Sequence, residues 1–446
     1  MHTDLLDLLR CPATGSTLSL EPHRQDGTDV VHGVLQGETE EYPIVAGVPV
    51  LLLGYSESVR FLRDGRTADA ASSALRQQLR GSPRARVAAA LAGYSGAARV
   101  AAALQRHDHR RLRAALVPLL EAEFDPLAVV RFGFDGWAEH NPEAINYFTY
   151  RFGTPRHLVA LAAADAVSGG TGPVLDLGCG AGHLTWGLGL RYGDRKTIGV
   201  DLSLFELWAA RRIATSSRLV CADATRLPFR SDAFGLVMAS DVLSFVRDKW
   251  ALAREATRVM APDGAVAIAA VKNSRHDHVY AGMPLSPRGW VTLTGDLPHQ
   301  LYADDRILER YLSGQPISAD DPGDVDAART VTLIAGSPSG HSTAEPVTWP
   351  HARGPLGVNP LLRLASDGAG ELVYARRFPS QGFADDNVPL RRYLPDEVTI
   401  PRRAVVGDEL DPEQVESLLP GTAVLALPEI YRRARLPGFA KRAVLI

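Results

Sequence analysis

Short apolar runs alternate with amphipathic stretches between residues 155 and 272. GPVLDLGCG, TIGVDLS, RLVCADA, FGLVMASDV and GAVAIAAVK read as strands bounded by turn formers. Between them AGHLTWGLGLRYG, LFELWAARRIATS and DKWALAREATRVMAPDG carry apolar residues at helical spacing, the last stopped by Pro262 and Gly264. This alternation predicts parallel strands joined by crossover helices, an α/β doubly wound sheet with helices on both faces. Upstream, DLLDLLR at 4–10 predicts a short amphipathic helix, and 30–36 and 43–53 predict two strands, together a small α+β module. Ala- and Arg-rich runs from 56 to about 130, such as RARVAAALAGY, predict surface helices. The Pro-, Asp- and Gly-rich remainder has strand candidates at 329–335, 371–378 and 422–427, two of them candidates for the sheet edge. The implied division is 1–55, a helical connector over 56–135, a core over 136–285 and a C-terminal extension over 286–446 that completes the sheet and caps the substrate.

Composition narrows the function classes. The chain has 446 residues, 46% hydrophobic and 22% charged, with a formal charge of -3, so no broad basic surface is expected and no nucleic-acid partner. No run approaches the roughly 20 apolar residues of a membrane span. The start, MHTDLLDLLRCPATG, has acidic residues where a signal peptide wants basic ones. Cys11, Cys179 and Cys221 are odd in number and far apart, which argues against a disulfide framework and for a cytoplasmic location. Only four of the 48 basic residues are lysines, the codon flavour of a GC-rich bacterial genome.

The chemistry concentrates in VLDLGCGAG at 174–182. Gly178, Gly180 and Gly182 let the backbone turn tightly and approach a ligand, and the helix that follows offers unpaired N–H groups. Acids recur at successive strand ends: Asp176, Asp201, Asp223 and Asp241. In an open parallel sheet these face one crevice. Asp176 would repel a pyrophosphate and welcome a cationic sulfonium with an amino group. Asp201, about twenty residues past the glycines, suits ribose hydroxyls, and Asp223 an adenine amino group. The plainer alternative is that each Asp only caps the following helix.

These residues, VLDLGCGAG, VDLS, CADATRLPF, FGLVMASDVLSFV and EATRVMAPDGAVAI, resemble in order the class I S-adenosylmethionine-dependent methyltransferases, particularly the ubiquinone- and menaquinone-type group. The resemblance covers roughly 155–272 and implies a Rossmann-like seven-stranded methyltransferase sheet, with S-adenosyl-L-methionine as cofactor and S-adenosyl-L-homocysteine as product. It implies that Asp176, Gly178 and Gly180 contact the methionine part, Asp201 and Leu202 the ribose, Asp223 and Ala224 the adenine, with Ser240 beside the sulfonium. Cys179 and Gly182, in the same turn, are counted with this set. Where many relatives have a Glu-His pair after the fourth strand, this chain has Ser244 and Phe245, so no catalytic role carries over there. A second resemblance covers 4–53: LLDLLRCPATGSTLSL and EYPIVAGVPVLLL resemble the small zinc-ribbon-like domain that activates or precedes certain methyltransferases. Its metal cysteines are missing, since Cys11 and Pro12 are followed by Ala13 and Thr14, and scattered His23 and His32 do not complete four ligands, so no zinc is expected.

For catalysis, KNSRHDHVYAGMPL places His276, Asp277, His278 and Tyr280 beyond the fifth strand, where His276 or His278 could act as a general base or simply bind backbone. Tyr147, Tyr150 and Arg151 in NYFTYRF lie on an expected helix, either as core or over the cofactor. Neither His107 nor His109 supports a metal, and the arginines of 76–113 read as a solvated face. The reading is a methyltransferase acting on O, N or C of a small molecule in bacterial biosynthetic tailoring, with a homodimer left open. The rivals are a non-catalytic cofactor-binding scaffold, an RNA or protein methyltransferase, and an NAD-dependent oxidoreductase.

Overall fold

In a computed structural model, the described residues are 1–78, 142–167, 172–213, 218–278, 282–336 and 349–437, with a few positions between 110 and 117. Most of the expected helical connector, with His107 and His109, and Tyr280 lie outside them. Seven strands form the central sheet: β5 (Val174–Leu177), β6 (Thr197–Asp201), β7 (Arg218–Cys221), β8 (Phe234–Ser240), β9 (Met260–Lys272), β10 (His299–Ala303) and β11 (Thr330–Gly336). They are hydrogen-bonded in the order β10-β11-β9-β8-β5-β6-β7. The α/β, Rossmann-like class is as the alternation predicts. By packing, the chain divides into two compact units, Met1–Asn141 with Gly180–Gly182 and Gly199–Arg230, and the remainder.

The first unit begins with an antiparallel four-stranded sheet, β1 (Ser19–Asp26), β2 (Asp29–Gln36), β3 (Glu41–Val45) and β4 (Val48–Pro49). Three details differ from the sequence expectation. The 4–10 helix is a 3-10 turn over Thr3–Asp7. The single strand expected at 43–53 is a hairpin, because Ala46 (φ 48°) and Gly47 (φ 77°) both take left-handed backbone, the geometry of a two-residue turn. The strand β1 was missed, since its burial is slight and its face mostly polar. Helices α1 (Ser56–Arg63) and α2 (Thr67–Gln78) follow. The module is joined by backbone to the rest of its unit: Val50 forms a parallel bridge with Cys221, and Leu51 N–H donates to the Cys221 carbonyl at 2.8 Å. Leu9 bridges Phe229, flanked by bonds from Arg10 to Pro228 and from Arg230 to Leu8, both 2.9 Å. Cys11 is buried and its Sγ lies 3.3 Å from the Tyr42 hydroxyl.

The second unit holds helices α3 (Pro142–Tyr150) and α4 (Pro155–Ala166), with Pro155 at the first turn, where its missing N–H costs nothing. Strands β5, β8 and β9 run parallel, and β11 is antiparallel to β9 and β10 antiparallel to β11. Strand β8 is buried at all but its last residue, the continuous apolar run of a strand covered on both faces. α5 (His183–Tyr192) follows the glycine turn and α6 (Leu204–Ile213), in the first unit, follows β6. α7 (Lys249–Val259) is capped by Asp248, whose carboxylate accepts the Ala251 N–H at 2.8 Å. Pro262 and Gly264, expected only to stop this helix, lie inside β9, and a Cβ on Gly264 would meet the Gly235 and Phe234 carbonyls at 2.9 Å. Of the three downstream strand candidates only 329–335 joins the sheet, between β9 and β10; β10, before α8 (Asp304–Leu312), is the edge strand there and carried no clear pattern. The two remaining candidates build a C-terminal layer: β12 (Leu356–Val358) pairs with a strand at Val424–Ala426, and Leu362–Asp367, Glu371–Arg376 and Glu397–Pro401 form a meander around Leu362, Leu372, Tyr374 and Ile400.

Candidate functional site

The glycine turn is built as its residues require. Gly178 (φ 69°), Gly180 (φ 51°) and Gly182 (φ 81°) all lie in left-handed backbone. In the second unit, a Cβ on Gly178 would sit 2.5 Å from Val242 Cγ2. Asp176 is buried at the end of β5, where the Thr185 hydroxyl of α5 donates to its Oδ2 at 2.7 Å. Cys179 is buried. Ser240 ends β8 with its Oγ buried and without a hydrogen-bond partner among the described residues.

In the first unit, a Cβ on Gly182 would lie 2.8 Å from Ala210 Cβ, so the turn and α6 approach as closely as only glycine allows. The Gly180 N–H donates to Asp201 Oδ2 at 2.9 Å and the Ser203 N–H to Oδ1 at 2.8 Å. Asp201 therefore both turns the chain into α6 and holds the glycine loop, more than a cap alone. Burial pushes its carboxyl above the ordinary range, opposed by these N–H donors. Beside it burial pushes Glu206 up to about 7, with the Asp201 charge adding to the rise. Gln78, at the end of α2, was missed in the sequence. Its Oε1 accepts the Leu204 N–H at 2.8 Å and its Nε2 donates to the Leu202 carbonyl at 2.9 Å, so one amide brackets the loop after Asp201. Leu202 is exposed. Asp223 is exposed, with Oδ1 accepting the Thr225 N–H and hydroxyl at 2.8 and 2.7 Å, and Ala224 follows it. The Ala222 N–H donates to the Asp201 carbonyl at 3.0 Å, which sets the two acid-bearing strand ends side by side.

A second constellation, within the second unit, surrounds Asp241. Arg151 NH1 lies 3.2 Å from its Oδ2, Arg156 Nε 3.9 Å from the same oxygen and Lys272 Nζ 3.9 Å from Oδ1. Arg156 also makes a two-point pair with Asp386, at 2.7 and 2.9 Å. Asp241 has φ 58°, a left-handed conformation uncommon outside glycine. Lys272 is buried, which lowers its pKa against the opposing pull of Asp241, and Nζ sits 4.3 Å from the Phe245 ring centroid. Lys272 was not singled out in the sequence, although it is one of only four lysines; Arg156 and Asp386 carried no signal because the two partners are 230 residues apart. Tyr147 is exposed with the Arg151 guanidinium 5.5 Å from its ring centroid, while the buried Tyr150 accepts a bond from Arg363 at 2.8 Å. His278 is partly buried, with Nε2 3.0 Å from the Asn273 carbonyl, and burial lowers its pKa. His276 is half-buried, its N–H donating to the same carbonyl at 3.1 Å.

This sheet order, with a glycine turn after its first strand and acids at the next strand ends, defines a Rossmann-like α/β domain. Residues 175–268 match the methyltransferase domain family. A malonyl-[acyl-carrier protein] O-methyltransferase of Halorhodospira halophila is 42% identical over 99 residues, 22% of this chain and 34% of the relative. Norajmaline N-methyltransferase of Rauvolfia serpentina is 33% identical over 101 residues, 21% of this chain and 34% of the relative. The matched segments thus span about a third of these relatives. Among solved structures, geranyl diphosphate C-methyltransferase from Streptomyces coelicolor A3(2), in complex with S-adenosyl-L-homocysteine, is 18% identical, covers 40% of this chain and 78% of its own, with a TM-score of 0.32. Among the described residues no helix is long and apolar enough to cross a membrane, and no group of three His, Cys, Asp or Glu could hold a metal.

Proposed function

We propose that this chain is an S-adenosylmethionine-dependent methyltransferase acting on a small molecule. The observation that carries the reading is the bond between the Gly180 N–H and the Asp201 carboxylate, which fixes a loop of left-handed glycines against the acid that ends the next strand. The residues fit the cofactor. The glycines leave a backbone cradle without side chains, Asp201 keeps lone pairs for hydroxyl donors beyond its two N–H bonds, and the Ser240 Oγ awaits a partner. When bound, the cofactor supplies an electrophilic methyl group on a sulfonium. Asp176 would attract its amino group, Asp201 and Leu202 would hold the ribose, and Asp223 and Ala224 the adenine. Gly178, Cys179, Gly180 and Gly182 form the floor. What the chain must add is orientation of the acceptor, which in methyl transfer supplies much of the rate.

His278 is not required as a base in this reading, since its ring nitrogen serves the Asn273 carbonyl. The acceptor side is assigned to the Asp241 constellation, to which the C-terminal extension contributes Asp386. Helix α2, which follows the N-terminal module, supports the Asp201 loop through Gln78. Calorimetric titration of S-adenosylhomocysteine and NADH into wild-type protein and Asp201→Ala tests the reading. Micromolar binding of the first alone, weakened at least tenfold in the variant, is expected; tight NADH binding, or none of the nucleoside, would overturn it.

A further inference from the structure

Within the second unit, the loop that leaves β8 lies against the start of the glycine turn. Strand β8 runs beside β5 with Ala239 opposite Leu177, and a Cβ on Gly178 would sit 2.5 Å from Val242 Cγ2. On its other side the Asp241 N–H donates to the Ala269 carbonyl of β9 at 3.0 Å, and the Lys272 N–H to Ser244 Oγ at 3.4 Å. The loop is thereby fixed at the carboxyl edge of three parallel strands, where open α/β sheets take their ligands.

Asp241 departs from ordinary packing in two ways. Its φ of 58° is left-handed, local strain of the kind kept at working sites. Its two oxygens are also unequally served. Oδ2 lies 3.2 Å from Arg151 NH1 and 3.9 Å from Arg156 Nε. Oδ1 is buried and has no hydrogen-bond partner among the described residues; Lys272 Nζ stands 3.9 Å away, beyond hydrogen-bond reach. One residue earlier the buried Ser240 Oγ is open in the same way. Buried polar atoms without a partner are rare and costly, and two in succession at this edge mark a place that a ligand completes. A carboxylate oxygen can only accept, so whatever completes Asp241 must donate. An acid anion or an ether has no proton to give.

Beside the loop the surface is apolar. Phe245 and Met283 are both exposed, and their backbones are held together. The Met283 N–H donates to the Ser244 carbonyl at 2.6 Å, and a Cβ on Gly282, at φ 62°, would lie 3.1 Å from Phe245 Cδ1.

We infer that Asp241 Oδ1 receives a hydrogen bond from the methyl acceptor, and that the acceptor is a hydroxyl or N–H compound whose apolar body lies on Phe245 and Met283. This inference rests on the methyltransferase reading and names the acceptor class, narrowing the methylated atom to O or N.

The test uses the full chain saturated with S-adenosylhomocysteine. Matched probes that differ in one donor are titrated calorimetrically: naphthol against naphthalene and methoxynaphthalene, indole against N-methylindole, and octanol against methyl octyl ether and octanoate. At least one donor is expected to bind tenfold or more tightly than every partner in its set. Asp241→Asn, whose carbonyl stays with Arg151 and whose amide takes the open position, is expected to abolish that preference while leaving the S-adenosylhomocysteine affinity within twofold. Phe245→Ser, at an exposed position, is expected to weaken the donor and its capped partner by a similar factor, which keeps the test open should the first variant fold poorly. Equal affinities within every set, octanoate binding more tightly than octanol, a preference that survives Asp241→Asn, or unchanged affinities in Phe245→Ser overturn the inference. Failure of the wild type to bind S-adenosylhomocysteine would instead sink the methyltransferase reading, and the donor preference is then read on the protein alone.

Discussion

Asp304 is a carboxylic acid in a place that disfavours its charge. It is buried at the start of α8, and although the Thr332 hydroxyl donates to Oδ1 at 2.6 Å, burial pushes its pKa up to about 7. His183 and His351 are the opposite case, buried neutral with pKa values of about 3 and about 4, mainly through desolvation. The signs differ. A histidine depressed in the folded state gives stability that is full above about 6.5 and is lost as pH falls toward its folded pKa, about 2 kcal/mol for each between pH 7.5 and 5. Asp304, raised in the folded state, gives stability that is lost as pH rises through about 7, so acidification returns about 2 kcal/mol. Urea melts at pH 7.5 and 5.0 should therefore show Asp304→Asn losing about 2 kcal/mol more than wild type on acidification. Equal losses would mean that Asp304 is ionised when folded. At the glycine turn, Gly182→Ala places a Cβ 2.8 Å from Ala210 Cβ at φ 81°, a cost of about 1–3 kcal/mol. The measurement is the urea midpoint, and no shift would show that α6 moves aside freely.

At the scale of elements, the parallel strands were legible because each is a buried apolar run that ends in a turn former, as FGLVMAS and VLDL do. Elements whose existence depends on a distant partner were not. Strand β10, HQLYA, has two buried residues of five and exists because Val331–Ala335 of β11 pairs with it. Gln78 was hidden for the same reason, its partners lying 124 and 126 residues along the chain. Those partners flank Ser203, whose N–H holds Asp201 Oδ1, so α2 acts on the Asp201 loop through two hydrogen bonds of about 1 kcal/mol each. Gln78→Ala should raise the dissociation constant for S-adenosylhomocysteine roughly tenfold with little change in thermal midpoint. Gln78→Glu, which keeps the acceptor for Leu204 and loses the donor to Leu202, should fall between. Unchanged affinity in both variants would reduce Gln78 to a structural contact.

Across the molecule, the family resemblance could name candidate cofactor residues because they are local to the glycine turn and strand ends within 174–240. The Asp241 constellation draws on residues from 151 to 386, and of these the sequence reading named only Arg151 and Asp241. Asp386 is where the C-terminal extension enters, through the two-point pair with Arg156. That pairing makes Asp386→Asn a measure of how far the extension holds the second unit together. Removing one partner of a mostly buried pair leaves Arg156 undercompensated, so the fold should lose about 1–3 kcal/mol. Urea melts on wild type and Asp386→Asn measure that loss, and an unchanged midpoint would show that Asp241 alone compensates Arg156.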